Sequence, residues 1–132
     1  MTEPRRALYA HLAADNEVKA IVGDRIYQGR VPAGATKPLI LIQPPISRVP
    51  QRDLGGVAYK KTRIQVTAMA ETQKDAEKAA NAVIAAVEGF TGTMGNGLDV
   101  ILASVDNDRQ IAQDGIDEIY HHVDITITYK EV

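Results

Sequence analysis

The sequence predicts an α+β domain. It reads as an antiparallel sheet of three to four long strands, an Ala-rich helix packed on one face, and short N-terminal helices at the edge. Three observations lead there. Near the C-terminus, Ile119, His121, Val123, Ile125, Ile127 and Tyr129 alternate with Tyr120, His122, Asp124, Thr126 and Thr128, the period of two that gives a strand one covered face. Segment 57–70 alternates likewise, with Thr62, Ile64, Val66 and Ala68 against Arg63, Gln65, Thr67 and Met69. Between them, Ala76, Ala79, Ala80, Val83, Ile84 and Val87 recur at helical spacing. Long strands grouped around one main helix, without regular βαβ alternation, point to α+β.

The remaining elements follow from local signals. Thr2 is placed to cap a first helix, with Pro4 in the first turn, where its missing N–H costs nothing. Leu8 and Leu12 give that helix a narrow apolar stripe. Asn16 can cap a second short helix over 17–22, closed by Gly23 in a left-handed cap. Arg25 to Gln28 reads as a short strand, 29–38 as a Pro/Gly loop, and the apolar run 39–43 as a strand covered on both faces. Pro44-Pro45 interrupts ladder pairing because neither residue has an N–H. The polar stretch 47–56 reads as a flexible loop. Thr72 opens the main helix with Asp75 three residues on, and Gly89 ends it, with Phe90 folding back onto the core. GTMGNG, 92–97, is a tight turn into a strand over 98–105, and the polar stretch 106–115 is a second flexible loop. The whole chain, 1–132, is expected to form one domain.

Composition removes several function classes. The chain has no cysteine, so thiol catalysis, disulfides and cysteine-ligated metals are absent. Its net charge of -2 lacks the basic excess of a dedicated nucleic-acid binder. Six aromatic residues, five Tyr and one Phe, furnish no base-stacking platform. No apolar run approaches the roughly 20 residues of a membrane span, and the first 15 residues contain no signal-peptide core.

Candidate chemical constellations are weak. His121 and His122 are adjacent on a strand, so they point to opposite faces and do not share a metal. His11 stands alone on a helix. The acids Asp99, Asp106, Asp108, Asp114, Asp117 and Glu118 lack the alternating offsets and glycine bend of a calcium loop. GTMGNG lacks the Lys-Ser/Thr ending of a phosphate loop and follows a helix rather than preceding one. Ser47 and Ser104 lie in no nucleophile elbow. Lys60, Lys61 and Arg63 read as a charged sheet rim in preference to a patch facing DNA or an acidic neighbour, which the net charge does not support. No catalytic, cofactor or metal residue is assigned. Two long charged loops and an exposed sheet edge point instead to protein–protein contact.

Three stretches carry a family resemblance: VGDRIYQGRVPAGATKPLILIQ (22–43), RIQVTAMAETQKDAEKAANAVIAAVEGFTGTMG (63–95) and HHVDITITYKE (121–131). In order and spacing they resemble the small tail-completion, or tail-terminator, proteins of long-tailed bacteriophages and prophages, over about Ala7 to Tyr129. Val22, Gly23, Arg25, Ile26, Tyr27 and Pro38 match recurring positions and read as fold-determining. Ile116 stands where many relatives carry an aromatic residue.

The resemblance implies a virion structural protein of the neck, assembled in the host cytoplasm, and no enzyme. It implies a ring, commonly of six subunits, that caps the tail tube, halts its polymerisation and meets a head-completion or stopper protein. The isolated chain is then either a ring or a monomer awaiting a tail-tube template. Genomic DNA would pass through the lumen without specific binding, and no cofactor or membrane is implied. Such a ring needs two different complementary patches on each subunit. Arg48, Arg52 and Asp53 of the first loop and Asp108, Arg109 and Asp114 of the second are the candidate contact residues, since opposite charges set register and suppress wrong partners. Two other readings are a different neck ring protein, head-completion or stopper, and a small-ligand-binding α+β domain with a titratable group in an apolar cleft.

Overall fold

The computed structural model describes residues 3–44, 47–52, 58–95, 97–112 and 118–130. The elements run α1 (Pro4–Ala14), α2 (Asn16–Val22), β1 (Ile26–Gln28), β2 (Leu39–Ile42), β3 (Ser47–Arg52), β4 (Ala58–Ala70), α3 (Gln73–Val87), β5 (Gly92–Met94), β6 (Leu98–Ala112) and β7 (Ile119–Lys130).

The two alternating segments form the centre. β4 and β7 pair antiparallel over twelve residues without a break, from Tyr59 opposite Lys130 to Ala70 opposite Ile119. The anticipated parity holds. Thr62, Ile64, Val66, Ala68, Val123, Ile125 and Ile127 are all buried on the side that meets α3. Helix α3 presents Ala76, Ala79, Ala80, Val83 and Val87 to that side, and its alanines let the helix lie close to the sheet. Thr72 caps it by accepting from the Asp75 N–H at 3.2 Å.

The α+β class stands, but the sheet is larger and mixed. Six strands run in the order β1-β2-β4-β7-β6-β5, and β3 adds a seventh beside β4. β1 and β2 are parallel; the other pairs are antiparallel. β1 and β2 match the strands read at 25–28 and 39–43, whereas the three-residue β5 lies inside the expected turn 92–97 and was missed, because the pairing of so short a strand is set by its neighbours and not by its own pattern.

Both polar stretches are also largely strand. Residues 47–52 pair with 63–58 of β4, and residues 107–112 pair with 124–119 of β7. The physical reason is shared: a backbone ladder at a sheet margin needs no apolar side chains, so hydrophobic periodicity is silent about it. The ladder is interrupted after Gln43 but does not end there. Gln43 still donates to the Gln65 carbonyl at 2.9 Å, and pairing resumes at Ser47 two residues out of register with β2. The remainders of the two expected loops, 53–56 and 113–115, lie outside the described residues.

Two cap assignments need correction. Asp15, not Asn16, caps α2, its carboxylate accepting from the N–H groups of Glu17 and Val18 at 3.0 Å. Thr2 lies outside the described residues, and the N-cap of α1 is Glu3, without a side-chain cap bond. Gly23 closes α2 at φ 61°, as its position predicts.

The N-terminal helices do more than lie at an edge. α1 touches both β1 and β5, the two ends of the strand path. The sheet therefore curls far enough for one helix to reach both ends, and Ala7, Leu8, Leu12, Val18 and Val22 join the core beneath. Gly95 marks where this closure is tightest. It turns between β5 and β6 at φ 57°, and a β-carbon there would stand 2.5 Å from the Ala7 carbonyl oxygen. Gly34 has a similar φ of 76° but open space around it. Gly34→Ala is expected to cost the left-handed backbone penalty alone, about 1–2 kcal/mol. Gly95→Ala must add overpacking against the α1 backbone, a further ~1–3 kcal/mol. Urea unfolding of the two variants checks the difference, which vanishes if α1 does not seat on that turn.

Candidate interaction surfaces

The sheet has two unlike faces. One is apolar and covered by the helices. The other carries the complementary positions Arg63, Gln65, Thr67, Tyr120, His122, Asp124 and Thr126, opposite one another across β4 and β7. Strand alternation puts them there, and their side chains meet across strands.

The polar face is a ladder of paired charges. Arg63 donates to Asp106 at 3.3 Å, and the Thr126 hydroxyl donates to the same carboxylate. Gln65 and Arg109 both donate to Asp124, at 3.1 and 3.4 Å. Thr67 bonds His122 Nδ1 at 2.9 Å, and the His122 ring stacks on Tyr120 with centroids 6.3 Å apart. Tyr120 donates to Glu118, which takes Lys37 at 2.6 Å. Cation and anion alternate along this face, so it carries little unbalanced charge.

Local environment sets the titration of three of these groups. The Lys37 ammonium, then the Tyr120 hydroxyl, hold the Glu118 carboxyl below its ordinary range. The same Glu118 contact raises Tyr120. Burial, then the Arg109 charge, pushes His122 down.

The histidine pair divides between the faces, as strand geometry requires. His121 is buried on the helix side, with Nε2 3.0 Å from Asp108 Oδ1. Beside it, Gln110 donates to the Gln73 carbonyl at the start of α3. Among the described residues, no group of three His, Asp or Glu could hold a metal ion. A cleft beneath the 31–35 segment opens on the polar face, lined by Leu39, Met69, Lys37, Glu118 and Tyr120. Its three polar groups already bond one another.

The candidate contact residues fall on two separate margins. Arg48 and Arg52 lie in β3, in register with Thr62 and Ala58. Asp108 and Arg109 lie in β6, in register with Val123 and His122. β4 and β7 stand between the two margins. Asp53 and Asp114 lie outside the described residues. Lys60 does not share a face with Lys61 and Arg63: it is in register with Tyr129 on one side of the sheet, whereas Lys61 and Arg63 belong to the other.

Sequence reasoning missed one group. Among the described residues, the exposed large hydrophobics are Ile101, Leu102 and Ile111, all on β6. Register shifts at Ile101 and Asp106 reset the strand's alternation twice. A period-two reading of 98–105 cannot anticipate that. The available signal is the density of apolar residues in LDVILASV, more than one face can bury.

The sequence profile of the family described as tail completion protein gp17 matches residues 6–129. Among solved structures, a chain of a particle described as the virion of native gene transfer agent (GTA) matches with a TM-score of 0.81 at 16% identity. The match covers 97% of this chain and 95% of that one. At that identity the likeness shows a common fold. No curated protein matches the chain in sequence.

The polar face makes stability pH-dependent. A group held below its unfolded pKa favours the folded state above that value and loses its contribution as pH falls. For His122 the loss begins near the ordinary histidine value of about 6.5, and for Glu118 near about 4.3. The melting temperature is expected to fall as pH drops from 7 to 5.5. In His122→Gln the fall should be shallower; an unchanged slope by calorimetry would rule His122 out as a contributor.

Proposed function

Because the chain belongs to the tail completion protein gp17 family, a structural class of the phage virion tail, we propose that it forms the ring that caps the tail tube. In this reading the ring ends tail polymerisation and joins the tail to the head. Its partners are further copies of itself, commonly six in the ring, the tail-tube protein below and a head-completion or stopper protein above. The family match along 6–129 carries the proposal.

The geometry supports it. A closed ring requires a heterologous interface, two different patches that meet by rotation. The candidate residues occupy opposite margins of one sheet, with two arginines on β3 and the Asp108-Arg109 pair on β6. Contacts of Arg48, Arg52 and Asp53 on one side and of Asp108, Arg109 and Asp114 on the other would give the ring its register. The near-neutral polar face also suits a passage for DNA. Tight phosphate binding requires clustered unpaired cations, whereas Arg63, Arg109 and Lys37 are each paired with a carboxylate.

Light scattering behind size exclusion, over a wide concentration range, tests the ring directly. One species of about six subunits is expected, or a monomer that assembles when purified tail tube is added. A chain that stays monomeric with tube present overturns the reading. Reversing both charges, Arg48→Glu with Arg52→Glu, should reduce tail joining at least tenfold in a complementation assay. Normal joining by the folded variant removes these residues from the contact.

A further inference from the structure

Resting on the ring reading, we propose that subunits join by strand addition. The outer edge of β6 over Asp108–Ala112 pairs antiparallel with the outer edge of β3 over Arg48–Arg52 in a second copy.

Among the described residues, both edges are open. β5 covers β6 only at Leu98–Val100. The chain after α3 then covers Ala103 and Val105: Gly89 donates to the Ala103 carbonyl, Ala103 donates to Phe90, and Val105 donates to Glu88. Beyond Val105, no described strand pairs with β6 on the side away from β7. β3 likewise pairs with β4 alone. Unpaired edges of this kind are templates for another chain. Ile111, one of the three exposed large hydrophobics, sits on the open part of β6.

Topology fixes the orientation. β3 runs opposite to β4, β4 to β7, and β7 to β6. Rotation about an axis near the strand direction therefore brings β6 against a neighbouring β3 running the other way.

Chemistry selects the register. Setting Arg52 opposite Asp108 also sets Val49 opposite Ile111. Both matches respect the faces of the sheet. Arg52 is in register with Ala58, and Asp108 through Val123 with Val66, at even positions of β4. Val49 is in register with Lys61, and Ile111 through Tyr120 with Met69, at odd positions. Asp108 is available for this role: its side chain is 48% exposed, and its partner is the His121 imidazole rather than a fixed cation. The Asp124, Asp106 and Glu118 carboxylates, by contrast, already hold Arg109, Arg63 and Lys37. Pro50 lacks an N–H and removes one donor from the new ladder.

The pairing is also compatible with closure. Pro50 is level with Lys60, and Gln110 through His121 with Ala68. Each copy is therefore displaced by about eight residues, roughly 26 Å, along the strands. A sheet rolled into a cylinder requires a shear of this kind.

The absence of native cysteine allows a clean test. Within one subunit, positions 52 and 108 are about 30 Å apart by strand spacing and rise, whereas a disulfide needs Cα atoms within ~7 Å. Arg52→Cys with Asp108→Cys should give, on mild oxidation, a ladder of linked multimers on non-reducing gels. Each variant alone should give no ladder. Val49→Cys with Ile111→Cys should repeat the result. In parallel, Arg52→Asp or Asp108→Arg alone should weaken assembly at least tenfold by light scattering, and the two together should restore it. Rings that form without either cross-link overturn the pairing and leave the ring reading intact. A wild-type chain that stays monomeric, with tail tube and without, overturns both.

Discussion

Everything in this chain hangs on the ladder between β4 and β7. Twelve consecutive antiparallel pairs fix which side chains point inward, and a slip of one residue would exchange the apolar face for the polar one. That register is what gives α3 a surface to pack on. It also sets Gln65 beside Asp124 and Thr67 beside His122 on the far side. The core and the charged face are thus one decision, taken once along two strands.

Where that decision is written in side chains, the sequence is legible. The alternation in 62–69 and 119–129 and the helical spacing in 76–87 are imposed by burial, so pattern and structure largely agree; Thr67 and Ala82 are buried outside the pattern, and Ile84 and Ile119 are only half-buried within it. Where burial stops, the pattern stops. β3 and the far half of β6 are held by backbone bonds at the margins, and polar residues serve there as well as apolar ones. The cap of α2 shows the limit of local reasoning: Asp15 and Asn16 are both good caps, and only the chain's path out of α1 decides for Asp15. The candidate contact residues were chosen as charged residues of two polar stretches, and Arg48, Arg52, Asp108 and Arg109 turn out to lie in strands. Their placement on two opposite margins was not legible, because it depends on strand order. Ile101, Leu102 and Ile111 were hidden by bulges that no periodicity encodes.

Charge on this molecule serves arrangement more than attraction. Exposed ion pairs such as Arg63–Asp106 contribute little to stability individually. Their effect is to keep a broad polar surface free of net charge while the margins retain groups that can engage another chain. A protein of the virion tail meets several neighbours. In the proposed ring, weak, geometrically specific charge pairs would discriminate among them.

The flanking strands are longer than the strands they accompany. Fourteen residues, 39–52, run beside twelve of β4, 58–69. Thirteen, 100–112, run beside eleven of β7, 119–129. A cloth whose hems exceed its middle cannot lie flat, and extra residues in one strand of a pair bend and twist it locally. The register changes between Ile42 and Ser47, at Ile101 and at Asp106, away from the central ladder and from the buried face of α3. Shape and stability are therefore written at different addresses, and the bend of the sheet can be lengthened or shortened at its hems while the packed centre stays as it is.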